Sequence, residues 1–377
     1  MNRKFFEAIS ILIGTIVGAG IFALPYVIMK AGILIGLFYF IFLGLIVLTV
    51  HLIYGEIVLR TSGIHHFVGY GEIYLGKTGK KVFFISSLIS LGGSSLVYLI
   101  LGGNFLTYLF SQSGKSVFFY VIIFWLAMSL GIILGWRRIS WLEFLMTIFL
   151  ILVMMIIVGF SFSHFQIKNL PLVNLKYFFL PWGIIFYALS GGSAIPEISE
   201  VLEKENNKLK NVIFIGTIIP LIIYFIFSLV TVGALGSLTT EDTIGGIKIL
   251  FGNGIVYLIT VFGFLAVSTS YLTMGIVLKK IFIYDLKINS LLAIIIVCLS
   301  PLVLYLLGLQ NFIKIISFLG LWLGAVEGIL LLIIHQQVKK NGNRQPEYSL
   351  SIPKIVYYLI GTIFILGPIL SIIFLQY

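Results

Sequence analysis

GTIVGAGIFALP, residues 14–25, sets three glycines and a proline inside an otherwise apolar run. In a helix interior glycine costs about 1 kcal/mol against alanine and proline about 3 kcal/mol. A stretch long enough to cross a membrane thus carries its own breaks, and those breaks need a purpose. The composition defines the surroundings: 60% hydrophobic residues, 10% charged residues and a mean hydropathy of +1.16 describe a chain dissolved mostly in lipid.

Apolar runs of about 20 residues, the length that spans a bilayer core, recur along the chain. Eleven are expected, near 6–28, 33–58, 82–110, 117–136, 141–163, 177–202, 211–236, 251–279, 288–309, 312–336 and 354–375. They form a single transmembrane domain in which 6–163 and 177–336 are two five-span halves and 354–375 is an extra helix. Arg3 and Lys4 before the first run resemble a signal peptide, but that run is itself of span length and is read as a retained helix. Cys298 is the only cysteine, which excludes a disulfide framework and any CxxC metal motif.

Cytoplasmic loops collect Lys and Arg. With the N-terminus inside, 18 of the 24 basic residues fall on the cytoplasmic side, among them Arg137 and Arg138. This orients the chain in the cell membrane. It also accounts for the net charge of +11 through anionic lipid headgroups, without nucleic acid. The inner loop TSGIHHFVGYGEIYLGKTGKK, residues 61–81, is amphipathic and is expected to lie on the membrane surface as a short helix. His65 and His66 have no carboxylate or cysteine at ligand spacing and are read as solvated.

Span 6 repeats the opening pattern as YALSGGSAIPEISE, residues 187–200. Spans 1 and 6 run in opposite directions through the membrane. Matching breaks in the first helix of two opposed halves are the mark of an inverted-repeat transporter with its site near the midplane. The half-helix restarting at Gly18, Ala19 and Gly20 presents unpaired N–H groups that suit a carboxylate. Pro25 is expected to leave the Ile21 carbonyl free as a further acceptor. The span 6 half that ends near 188–190 presents carbonyls that suit an ammonium group. Gly92, Gly93, Gly102 and Gly103 in span 3 are read as close-packing residues instead.

The chain resembles the amino acid/polyamine/organocation superfamily, and more closely the prokaryotic amino acid/auxin and hydroxy/aromatic amino acid permeases. The resemblance rests on GTIVGAGIFALP, YGEIVLRTSG at 54–63, GYGEIYLGK at 69–77, SAIPEI at 193–198 and STSYLTMGIVLKKIFIYD at 268–285. It implies an all-α fold of five plus five inverted helices, as in sodium-coupled leucine transporters, with alternating access and L-amino acid substrates. It also places the carboxylate on the amides of Ala19 and Gly20, with Gly18 permitting close approach. The amine falls on carbonyls around Tyr187, Ala188 and Ser190, and Ile16, Tyr98, Gly192, Ser193 and Tyr271 line the side-chain pocket. At Gly192 many relatives carry a bulky aromatic, so one wall of the pocket is missing.

For coupling, the resemblance implies a sodium cage from the hydroxyls of Ser268 and Thr269 with the carbonyls of Gly14, Val17 and Leu265. The plainer account is that those hydroxyls bond back to their own helix. A proton is the rival, with Glu56, Glu197 and Glu327 as candidates, because ionisable groups inside a membrane are functional by default. Glu56 has Arg60 four residues on and Glu197 sits in the first turn of a restarting helix, so pairing and capping are their plainer roles. Span 5 has no lysine of the kind that replaces sodium in some proton-coupled relatives. No catalytic cluster of His, Asp or Glu points to an enzyme, and no repeated filter segment points to a channel. A membrane sensor of amino acids with the same fold would read identically, and no segment specifies an oligomeric state.

Overall fold

The computed structural model describes residues 3–63, 65–110, 113–134 and 139–374. Arg137 and Arg138 lie outside them. All eleven expected stretches form helices. Span 1 is α1 (Arg3–Ile16) and α2 (Leu24–Ala31), joined by a 3₁₀ turn over Ala19–Ala23 and bent by 47°. Span 2 is α3 (Ile33–Arg60). Next come α4 (Phe67–Leu109), α5 (Val117–Leu134) and α6 (Ile139–Phe162) as spans 3 to 5. Span 6 is divided into α7 (Leu180–Leu189) and α8 (Ile195–Leu202), and span 7 is α9 (Leu209–Leu235). A short α10 (Ile244–Phe251) precedes α11 (Asn253–Lys280) and α12 (Ser290–Leu306), spans 8 and 9. Span 10 is α13 (Phe312–Trp322) and α14 (Ile329–Asn341) around a π-helical segment, Leu323–Gly328. Span 11 is α15 (Lys354–Phe374).

The amphipathic inner loop is helical, as its pattern predicts, and forms the first part of α4. Gly76, at φ 66 and ψ −157, then turns the chain into span 3. A positive φ of this kind is open to glycine and strained for other residues. Glu72 and Lys80 pair across the bend at 2.9 Å.

The elements interlock, with α13 packed on α7 as closely as on α4. Helices α1 and α2 lie on α9, α1 also lies on α8, and α3 joins them through α7, α8 and α9. Helix α4 packs on α11, α5 and α13, while α6 packs on α11 and α9. Both broken spans therefore pack with α3 and α9. Outward-facing residues are apolar: Leu34, Phe38, Ile41 and Leu45 form an exposed stripe on α3, the arrangement that lipid solvates. In span 3, Gly93, Gly102 and Gly103 do receive neighbours, Leu319, Phe124 and Val121 respectively, whereas Gly92 faces open space and packs nothing.

Candidate substrate site between two broken helices

The winding of α1 ends at Ile16, and Val17 donates the last α-type bond, to Ile13, at 2.8 Å. Gly18 is extended at φ −137, and from there the chain runs as a tight 3₁₀ turn. Among the described residues, the amides of Ala19 and Gly20 meet no acceptor, as expected for the start of a helix. The Gly18 amide is engaged by the Tyr224 hydroxyl, which itself donates to the Ile16 carbonyl at 2.8 Å. The Ile21 carbonyl is not free: in 3₁₀ geometry it accepts from the Leu24 N–H, one residue before Pro25.

Span 6 breaks at Ser190 and Gly191 and re-forms through a 3₁₀ turn over Gly192–Ala194 before α8, with Pro196 in its first turn. Of the three carbonyls expected to face an amine, that of Tyr187 already accepts from the Ser190 N–H at 3.1 Å. Those of Ala188 and Ser190 take no backbone donor among the described residues. The Ser190 hydroxyl bonds back to the Phe186 carbonyl at 2.8 Å.

The two breaks touch. A Cβ on Gly20 would fall 2.8 Å from both Cα and Cβ of Ala188, so the absent side chain at 20 is what lets the spans meet. Ile16 packs against Gly191 from the other side. Tyr98 also arrives as expected: its hydroxyl lies 3.4 Å from the place of a Cβ on Gly18 and bonds to the Tyr187 hydroxyl. Tyr187 is held in turn by Ser94 at 3.0 Å. Ser193 and Glu197 lie one turn apart on an exposed face; Glu197 makes no capping bond, so only its position near the helix start complements the dipole. Tyr271 is turned elsewhere, edge-on to Phe124 of α5, with its hydroxyl buried and unpartnered.

The residue missed in sequence is His51. It is buried within span 2, where its Nε2 accepts from the Gly191 N–H at 3.4 Å and its Nδ1 lies 3.1 Å from the Thr217 hydroxyl. This pair of contacts selects the tautomer protonated on Nδ1. The space that a side chain at Gly192 would enter is bordered by His51, 3.4 Å away, and Tyr54, 3.8 Å away. Span 2 thus supplies the wall that span 6 lacks. A search for clusters passes over a lone histidine; its depth in an apolar span is the signal that finds it.

Two of the expected sodium ligands, the hydroxyls of Ser268 and Thr269, are engaged within their own helix. Ser268 donates to Phe264 at 2.7 Å and Thr269 to Ala266 at 2.9 Å, both within α11. The Leu265 side chain is exposed. Helix α11 rests on α4 and α6, and α1, which carries Gly14 and next to which Val17 lies, rests on α9 and α8 and also touches α6.

Glu56 is a structural hub. Fully buried, it accepts from Arg60 at 2.7 Å, His335 at 2.9 Å, Ser349 at 3.0 Å and the Leu350 N–H at 2.7 Å. His335 is backed by Tyr357 at 2.7 Å. The segment between spans 10 and 11 is thereby strapped across the C-terminal end of α3, where Asn343 and Arg344 donate to the Arg60 carbonyl and Tyr348 to the Leu52 carbonyl. Burial and the nearby Glu56 charge push the Tyr348 phenol well above its usual range.

At the opposite end of the bundle, the turn before α10 closes over span 1. Thr243 donates to the Phe22 carbonyl at 2.6 Å, and Tyr108 donates to Asp242 at 2.7 Å. Glu241 lies on the wall between cavities of about 400 and 350 Å³. Burial, then the adjacent Asp242 charge, raise its carboxyl above the usual range.

The comparisons with known proteins agree with this architecture. The tryptophan/tyrosine permease family model matches residues 1–371. The chain is 26% identical to tyrosine-specific transport system 2 of Haemophilus influenzae, over 85% of this chain and 84% of that protein. It is 24% identical to glutamine transporter 2 of Aliivibrio fischeri, over 85% of each. Among solved structures it is similar to Mhp1 in its inward-facing conformation, with a TM-score of 0.68 at 12% identity over 88% and 76% of the two chains. It is likewise similar to MhsT in complex with L-phenylalanine, with a TM-score of 0.66 at 13% identity over 99% and 98%. Two helices broken at matching places, a bundle of apolar helices and a family match over nearly its full length lead to one conclusion: the chain belongs to the tryptophan/tyrosine permease family, a multi-pass membrane transporter and not an enzyme.

Proposed function

We propose that this chain is a secondary active symporter. It carries an L-amino acid across the cell membrane by alternating access, with its N-terminus cytoplasmic and a cation, sodium or proton, as driving ion. The reading is carried by the contact of the two breaks at Gly20 and Ala188. Open amides at Ala19 and Gly20 suit a carboxylate, and the carbonyls of Ala188 and Ser190 suit an ammonium group. A zwitterion bound there needs no buried side-chain charge. Tyrosine and glutamine, the cargoes named for the two relatives, both carry a planar side chain with a polar end, and the His51 and Tyr54 wall offers a flat surface with polar atoms.

The test is uptake into proteoliposomes of purified full-length protein, with radiolabelled L-tyrosine and L-glutamine, beside a thermal-shift screen of the twenty amino acids. Saturable uptake and counterflow of an L-amino acid, unaffected by its D-isomer, are expected. Absence of binding and uptake for all twenty overturns the reading. Binding without transport in either direction turns it to a sensor of the same fold.

A further inference from the structure

Span 10 departs from α-helical winding over Leu323–Gly328, within a membrane-spanning helix, and Glu327 sits in that segment. Such π-helical insertions cluster at functional sites. The Glu327 Oε1 accepts from the Ser86 hydroxyl at 2.9 Å and the Ser90 hydroxyl at 3.4 Å, and Ser86 also receives the Trp322 indole N–H at 3.1 Å. The segment packs against α4, α13, α14 and α15. From α4 it meets only those serines; from α13, the Trp322 indole by way of Ser86; from α15, the Phe364 ring, against Gly324 and Gly328. On α14, His335 is committed to Glu56 and Tyr357. From α3 the Tyr54 hydroxyl lies within electrostatic range. Among the described residues no cation faces Glu327. A carboxyl group so placed is neutral with its proton and bears an uncompensated charge without it.

Two lines of hydroxyls lead away from it. Ser86, Ser90, Ser94 and Tyr98 recur every fourth residue and share one face of α4. One helical turn, about 5.4 Å, separates Ser90 from Ser94, a gap that a single water bridges. From Ser94 the line continues through Tyr187 to Tyr98, beside Gly18 at the break of span 1. In the other direction Tyr54 and Tyr70 lie with ring centroids 5.7 Å apart, and both hydroxyls are buried without a partner among the described residues. Tyr70 belongs to the surface arm of α4 before Gly76. Buried hydroxyls without partners call for transient water.

We propose that Glu327 carries the coupling proton. The line through Ser94, Tyr187 and Tyr98 links it to the amino acid, and Tyr54 and Tyr70 form its route to the cytoplasmic side. The proposal rests on the transport reading above and names the ion and the residue. The carboxylate takes up a proton while the substrate is bound from outside and releases that proton to the cytoplasm.

The experiment compares wild type, Glu327→Gln, Glu327→Asp and Ser94→Ala in proteoliposomes, measuring L-tyrosine and L-glutamine accumulation under an imposed pH gradient relative to counterflow at equal pH. A pH-sensitive dye inside the vesicles follows proton entry. That ratio is expected to fall about tenfold or more in Glu327→Gln, to recover partly in Glu327→Asp and to drop severalfold in Ser94→Ala. An unchanged ratio in Glu327→Gln overturns the proposal, as does wild-type accumulation that follows a sodium gradient and ignores pH. If Glu327→Gln does not fold, Ser86→Ala with Ser90→Ala must shift the pH dependence, and an unshifted curve overturns it. Wild-type counterflow separates the two levels: its absence removes the transport reading too, whereas its presence with an unchanged ratio removes only the proton assignment.

Discussion

At the scale of single residues, His51 alters the picture of the pocket most. Its imidazole joins α3 to the break of span 6 and to Thr217 of α9, so it positions three elements at once. Replacing it with Phe removes an acceptor from Gly191 and leaves Thr217 without its partner. A lost hydrogen bond of about 1 kcal/mol predicts roughly fivefold weaker amino acid binding by thermal shift or scintillation proximity, with a changed order of preference among aromatic and amide side chains. Glu56 gives the opposite prediction. Glu56→Ala strands part-buried Arg60 and fully buried His335, a loss of about 3–5 kcal/mol that should appear as a sharply lower melting temperature in detergent rather than as altered selectivity. Sequence reasoning paired Glu56 with Arg60 from their spacing. It had no access to the residues nearly three hundred positions away that complete the hub.

At the scale of elements, the two broken spans were legible because glycine and proline announce backbone departures locally. Which groups each break leaves open was less legible, since that depends on the turn adopted. A 3₁₀ turn occupies the Ile21 carbonyl, and the end of α7 occupies that of Tyr187. The contact of Gly20 with Ala188 was invisible in sequence and is sharply testable. Gly20→Ala should abolish transport, because its Cβ would sit 2.8 Å from the opposite backbone, and adding Ala188→Gly should restore part of the uptake. If the double variant is as inactive as the single, the clash is not the cause. At Gly76 an alanine must adopt a positive φ, a cost of about 1–2 kcal/mol, which should loosen the surface arm and raise protease cleavage between 67 and 80. The Ser268 and Thr269 pair reads alike as cage or as back-bonding helix residues in one dimension, and in the fold both hydroxyls bond to carbonyls of their own helix.

At the scale of the whole molecule, hydropathy and the arithmetic of opposed halves sufficed for the architecture, because each span is a local pattern repeated. The seals at the two faces come from loops and were not readable. At the end of the bundle beside α10, Glu241 makes stability depend on pH. Its raised carboxyl means the folded state holds a proton that the unfolded chain releases, so this contribution is complete below the unfolded value and is lost as pH rises through the folded one. Glu241→Gln should therefore flatten the loss of thermal stability as pH rises above the ordinary carboxylate range, measured across pH in detergent. At the other end, the strap between spans 10 and 11 binds Arg60 to Ser349, 289 residues apart. Contacts over such separations form slowly, because the chain between must first be arranged. The hub around Glu56 can be completed only after the segment between spans 10 and 11 has left the ribosome, so the C-terminal end of span 2, made among the first, is finished among the last.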